Sequence, residues 1–235
     1  MPKLFPRLFV TFIAGLVITG TPAFARSQTP ASSPSTSANS RLNNAVLSIS
    51  REWAHIKYQI HGSGQQFREF RVLEHQAAAL ARRYPFNARP LLWQGIVASE
   101  EAARASLFER LGYAKRARLL LDRAIAINPS AAHGGVWLSL GVLYARVPGF
   151  PFSFGSDSKA RADLHRALEL DPSGLDANYF YGDYLFSHGH YSRSMVVLEH
   201  GLQAPQDAQR PIWDAARRHQ IRQLLSKILQ KKTQR

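Results

Sequence analysis

The chain has no cysteine among its 235 residues, and only two methionines. The missing thiols exclude a disulfide framework, a cysteine nucleophile, an iron–sulfur cluster and any cysteine-based zinc site. Acidic residues are scarce too, 16 against 30 lysines and arginines, which leaves a formal charge of +14. So basic a chain suits acidic partners, anionic membrane surfaces or nucleic acid. No zinc finger, RNA-binding aromatic motif or recognition-helix pattern accompanies the charge, so nucleic acid is not an expected partner. No segment reads convincingly as a strand.

What is present starts with a leader. Lys3 and Arg7 precede an apolar run from Leu8 to Gly20, and Ala23-Phe24-Ala25 offers small residues where a signal peptidase inspects the chain. The run is shorter than the ~20 residues a membrane-crossing helix needs. Residues 1–25 are therefore expected to be a cleaved signal peptide. They carry two basic residues and no acid, so the mature chain would keep a charge of +12. No cysteine follows the apolar run, so neither a lipoprotein anchor nor a transmembrane span is expected in the mature chain. The expected location is a bacterial periplasm. Residues 26–40 are rich in Ser, Thr, Pro, Ala and Gln, the make-up of a flexible linker. Residues 41–235 are expected to form a single domain, for which a hydrophobic content of 45% supplies an adequate core.

From Arg41 onward apolar residues recur at three- and four-residue spacing, broken by Gly and Pro at intervals of one short helix. The spacing predicts helices near 42–61, 66–83, 89–105, 112–127, 132–146, 157–170, 175–187, 190–203 and 211–230. An internal repeat relates them. Gly112, Ala117, Ala124 and Pro129 recur at the same intervals as Gly155, Ala160, Ala167 and Pro172, with a weaker third copy in Gly189, Ser194, Gly201 and Pro205. The first helix of the best unit, Trp137-Leu138-Ser139-Leu140-Gly141-Val142-Leu143-Tyr144, is a complete W-x-x-L-G-x-x-Y.

With that motif the chain resembles the tetratricopeptide repeat (TPR) family. The resemblance implies an all-α, right-handed superhelical solenoid of antiparallel helix pairs, about four of them, ending in a C-terminal capping helix. Small residues at Gly141, Ala160 and Ala167 let paired helices approach closely, while Trp137, Leu140 and Tyr144 fill the groove to the next pair. The segment from Pro211 fits a cap: Trp213, Ile221, Leu224, Leu225 and Ile228 form one stripe, and Arg217, Arg218, Arg222 and Lys232 are expected to meet water.

Two departures stand out. About ten extra residues separate the helices of the pair starting at Ala88 and are expected to lengthen both. Between Tyr144 and Gly155 the chain spends ten residues where the family leaves three, and they include Phe150, Phe152 and Phe154. Two readings of that loop stand side by side: a plug folded back over the interhelical groove, or a pocket for a ligand or partner built from the three phenylalanines. The run from Tyr144 to Gly155, Lys159-Ala160-Arg161, Asp171 to Tyr181, Ala204-Pro205 and Asp214 to Arg218 together resemble the periplasmic TPR proteins associated with TRAP transporters, called TatT-like. That likeness implies an exported accessory working beside a transporter's solute-binding protein, with a small apolar or carboxylate-bearing solute as a possible ligand. Many members of that family are lipoproteins, and this chain lacks the cysteine.

In TPR arrays the concave surface comes from fixed positions on the first helix of each pair. Carried onto this chain, they give a candidate partner or ligand groove of Arg89, Leu92, Ile96, Leu138, Val142, Arg146, Asp176, Tyr179, Asp183 and Phe186, with Ser99 and Glu100 beside them. The carboxylate-gripping lysine and asparagine set of chaperone-binding TPR proteins is absent there. Nine histidines are present, with His188 and His190 a few residues apart, but no further ligands complete a metal shell. No nucleophile elbow, H-E-x-x-H, phosphate loop or dinucleotide fingerprint occurs. The expectation is a protein-interaction scaffold with no catalytic residues and no cofactor. A general scaffold for envelope complexes, and a helical cell-wall enzyme, are its alternatives.

Overall fold

The computed structural model describes residues 34–233, and among these the chain forms nine helices and no strand beyond one isolated bridge. They are α1 (Pro34–Gln59), α2 (Ser63–Arg83), α3 (Ala88–Arg104), α4 (Leu107–Ile127), α5 (Ala131–Arg146), α6 (Asp157–Leu170), α7 (Leu175–Ser187), α8 (Tyr191–Leu202) and α9 (Pro211–Thr233). The extra residues of the Ala88 pair go chiefly into α4, which starts at Leu107. The expected leader and residues 26–33 lie outside the described residues. The remainder of the expected linker is helical, because α1 begins at Pro34. Proline suits a first helical position, and extending a helix that packing has already nucleated costs little even for small polar residues.

The repeat places its small residues where helices touch. A Cβ added at Gly141 would sit 2.7 Å from Leu164 Cγ and 2.9 Å from the Leu164 backbone nitrogen. The equivalent glycines of the neighbouring pairs do the same: Gly95 meets Leu121 at 2.8 Å and Gly182 meets Leu198 at 2.6 Å. Ala117, Ala160 and Ser194 line the facing helices and are fully buried. Ser194, the one polar member, satisfies its hydroxyl by donating to the Gly182 carbonyl at 2.7 Å. Asn128 and Asp171 end α4 and α6 in extended or irregular backbone, the conformation that the following prolines impose. The result is three tight pairs, α3/α4, α5/α6 and α7/α8, preceded by the looser α1/α2 and followed by α9.

The end helices do more than cap. α1 packs on α2, α3 and α9, while α9 packs on α7, α8 and α1, so the first and last helices meet and close the inner side of the array. In α1 the buried residues Leu42, Val46, Ile49, Trp53 and Ile56 are alternately four and three apart, a single seam along one face. With Trp213, Ile221, Leu224 and Ile228 of α9, the last three of these, Ile49, Trp53 and Ile56, build a second core beside the one inside the repeats. One expectation is corrected here. Arg217 and Arg218 do not face water but are buried, whereas Arg222 and Lys232 are exposed. Arg218 donates to the carbonyls of Leu202, Ala204 and Pro205 and pairs with Asp214 at 2.8 Å. It thereby occupies the acceptors that the end of α8 leaves open.

Candidate functional site

Closure of the inner side decides the fate of the expected groove. Leu92 is 2% exposed and belongs to the core of the repeats, against which Leu138 also packs. Ile96, Tyr179 and Phe186 are half-buried against the second core, Tyr179 under Arg217 of α9 and Phe186 beside Tyr191 of α8. Arg89 reaches out to α1 and donates to Asn43 Oδ1 at 2.6 Å. Asp176 accepts from Arg217 Nε at 2.5 Å and from Trp213 Nε1 at 3.1 Å. As groove positions these residues presuppose an open concavity. The terminal helices, which lie outside the clear repeats, fill it.

Beside that second core, part of what they fill it with is polar. Glu100 of α3 pairs with Lys57 of α1 and with Arg104 at 2.6 Å. Burial alone would raise the Glu100 carboxyl, but Lys57 and Arg104 outweigh it and hold it below the usual carboxylate range. Arg217 lies over the rings of Tyr179 and Phe180 at 4.3 and 4.5 Å. Tyr58 sits among Arg217, Asp176, Glu100 and Tyr179 with its hydroxyl unpartnered, and burial first of all pushes it up to about 12. A buried cluster of this kind costs much if one member is removed and little if all are replaced, so it specifies which helices meet more than how strongly they hold. Sequence reasoning missed it, although the seam of α1 and the neighbouring Lys57 and Tyr58 were there to be read.

An open cleft of about 550 Å³ survives at the edge of the array where the α5–α6 loop leaves the helices. Three of the expected groove residues, Val142, Arg146 and Asp183, line it together with Phe180, Tyr184 and His188. Arg146 and Asp183 face each other across 3.7 Å, and both are partly exposed. The loop contributes main chain. Gly155 donates to the Pro148 carbonyl at 2.9 Å, and a Cβ there would lie 1.8 Å from the Val147 carbonyl oxygen, so only glycine allows the loop to fold back this tightly.

The three loop phenylalanines part company, and the expected pocket among them does not form. Phe154 is the plug: it packs edge-on against Tyr144 at 5.9 Å, and Arg118 lies 4.9 Å above its ring. Phe150 and Phe152 point away and are almost wholly exposed. None of the three lines the cleft.

At the rim, His188 Nδ1 lies 2.8 Å from the Tyr184 carbonyl oxygen and Nε2 lies 2.7 Å from Asp157 Oδ1. The Tyr184 hydroxyl donates to Asp157 Oδ2 at 3.2 Å. Both ring nitrogens are engaged within the protein, which leaves His188 none to offer a substrate as a general base. His190 does not join it, and no group of three or more His, Asp or Glu among the described residues is placed to hold a metal. The cleft can receive a chain segment or a small polar solute through Arg146, Asp183 and main-chain groups.

Elsewhere, Glu101 of α3 points away from Glu100 and is buried beside Glu74, which accepts from Gln94 at 2.7 Å and Arg116 at 2.6 Å. Burial, then the neighbouring Glu74 charge, push Glu101 up to about 7.

No protein-family model matches the chain, and no curated protein does. Among solved structures it is similar to TTC0263, a thermophilic TPR protein of Thermus thermophilus, at 19% identity and a TM-score of 0.50, over 78% of this chain and 93% of that one. It is also similar to MamA, at 17% identity and a TM-score of 0.40, over 71% and 90% of the two chains. With the glycine and alanine contacts above, the first likeness establishes the fold: an all-α solenoid of TPR-like helix pairs.

Proposed function

We propose that this chain is an exported scaffold for protein–protein interaction that serves as an accessory to a TRAP-type solute uptake system. In this reading the periplasm is its location, a solute-binding protein its partner, and the edge cleft the place where that partner, or the small solute it carries, is received. The fold supports the interaction role, since stacked helix pairs offer large rigid surfaces and no catalytic set. The observation that carries the choice of site is the survival of the Arg146, Asp183 and His188 rim while every other inner charged side chain named above is engaged across α1, α3, α7 and α9. The likeness of Tyr144–Gly155 and Asp171–Tyr181 to TatT-like proteins supports the uptake role.

Titration with a purified TRAP-type solute-binding protein from the same organism tests this. Charge reversal at both Arg146 and Asp183 should abolish binding while circular dichroism is unchanged. Wild-type protein that binds no such partner, with or without solute, would remove the uptake role. Binding that survives the double reversal would remove the cleft.

A further inference from the structure

Five large apolar side chains stand more than three-quarters exposed: Phe108 at 98%, Phe150 at 93%, Phe86 at 91%, Leu107 at 83% and Phe152 at 80%. Four of them share one edge. α3 and α5 run the same way, each as the first member of an antiparallel pair, and they touch. The tips of the hairpins α3/α4 and α5/α6 are therefore neighbours on that edge; Leu107 and Phe108 crown the first tip, Phe150 and Phe152 the second. Phe86 lies alone on the opposite edge, in the turn between α2 and α3.

The surroundings of these tips are basic. Arg110, Lys159 and Arg161 lie within the first turns of α4 and α6 or just beyond, and among the described residues none of them forms a salt bridge. Of the acids nearby, Glu109 accepts from the Ser106 hydroxyl, Asp157 is held by His188 and Tyr184, and Asp163 is half-buried within electrostatic reach of Lys159. Each tip thus presents a pair of bulky exposed apolar side chains beside basic residues that no salt bridge ties down, although Arg110 donates to the Ala105 carbonyl and Lys159 lies over the Tyr144 ring. A protein pocket would need a matching cavity for each separate tip. A fluid anionic bilayer needs none, because apolar side chains enter the acyl boundary wherever they land while lysine and arginine remain at the phosphates.

We propose that the edge formed by the α3/α4 and α5/α6 tips docks on an anionic lipid surface, with Phe108 and Phe150 inserted and Arg110, Lys159 and Arg161 on the headgroups. No described helix is long and apolar enough to cross a membrane, so the contact is interfacial. It turns the solenoid on edge and presents the cleft, which opens at the α5–α6 loop, close to the bilayer.

The absence of cysteine makes the test clean. Phe108→Cys, Phe150→Cys and Phe86→Cys each give a single thiol for an environment-sensitive fluorophore in the full chain. Residues 1–33 are the same in all three, so any attachment through them cannot select among the tips. With phosphatidylglycerol-containing vesicles, the labels at 108 and 150 should shift to the blue and be quenched by lipid-borne spin labels, and the label at 86 should not. Phe108→Ser with Phe150→Ser in the unlabelled chain should weaken partition roughly tenfold, since binding scales with buried apolar area. No shift at 108 and 150, an equal shift at 86, or an equal response to neutral phosphatidylcholine vesicles overturns the proposal. A shift evoked by an added acidic protein and by no vesicle overturns it in favour of a protein partner.

Discussion

The interior of the repeats and the seal between the terminal helices solve the same packing problem by opposite means. Between α3 and α8, helices are brought together by what is missing from their side chains: Gly95, Gly141 and Gly182 leave room for one leucine each. Between α1 and α9, helices are matched by what is added, a cluster in which Lys57, Glu100, Asp176 and Arg217 find their partners only when four helices are in place. A repeat can encode the first solution because every pair poses the same local question. The second is asked once, so no period announces it.

The largest expected effect lies in the seal. Arg217→Ala removes the cation that pairs with Asp176, leaving it the Trp213 Nε1 donor, and uncovers the faces of Tyr179 and Phe180. Breaking a buried pair costs about 3–5 kcal/mol. Denaturant unfolding should register a loss at or near the bottom of that range, because Asp176 keeps some contact with water. If Arg217→Ala lowers stability no more than a surface change does, the seal contributes nothing and the contrast fails.

Glu101 gives the next effect, and its sign depends on pH. Its folded value of about 7 lies above the ordinary 4.5, so folding favours the protonated acid. Below pH 4.5 both states are protonated and this contribution is whole; as pH rises towards 7 the unfolded chain ionises first and stability is lost. That shift corresponds to about 3 kcal/mol. Glu101→Gln should match the wild type near pH 4 and exceed its melting temperature at pH 8. Equal stability curves across that range would remove the buried carboxyl from the account.

Gly141→Ala follows, and it tests the interior directly. A helical glycine replaced by alanine ordinarily gains up to about 1 kcal/mol. Here the new methyl meets both the Leu164 side chain and its backbone nitrogen, and overpacking of that kind costs about 1–3 kcal/mol. The expected outcome is a net loss in thermal unfolding, and a net gain would show that the pair has slack. Smallest of all is charge reversal at Arg146. Its ion pair with Asp183 is long and exposed, so stability should move by less than about 0.5 kcal/mol.

The same contrast explains what could be read in advance. The close contacts at Gly141, Ala160 and Ala167 and most helix limits follow from a period that the sequence displays, whereas α1 and α4 start eight and five residues earlier than that period predicts. Counting groove residues from that period presupposes an open array and puts Ile96, Tyr179 and Phe186 on a surface, whereas they are half-buried against the core that α1 and α9 complete. Val142, Arg146 and Asp183 sit beyond the reach of those two helices and do line a cleft. The loop phenylalanines divided because only Phe154 has Tyr144 and Arg118 to pack against. Composition cannot distinguish it from Phe150 and Phe152. The α1 seam at 42, 46, 49, 53 and 56 was the one legible sign that the first helix has a long apolar face to bury.

Hydrogen exchange followed along the chain tests the closed inner side most directly, because amides exchange by local opening wherever a helix is held only weakly. Amides of residues 49–57 in α1 and 217–228 in α9 should be protected as strongly as those of 117–124 inside the repeats, and Arg217→Ala should lower protection in α1 as well as in α9. Fast exchange through 49–57 in the wild type, with the repeats still protected, would mean that the array stands open and that the terminal helices do not seal it.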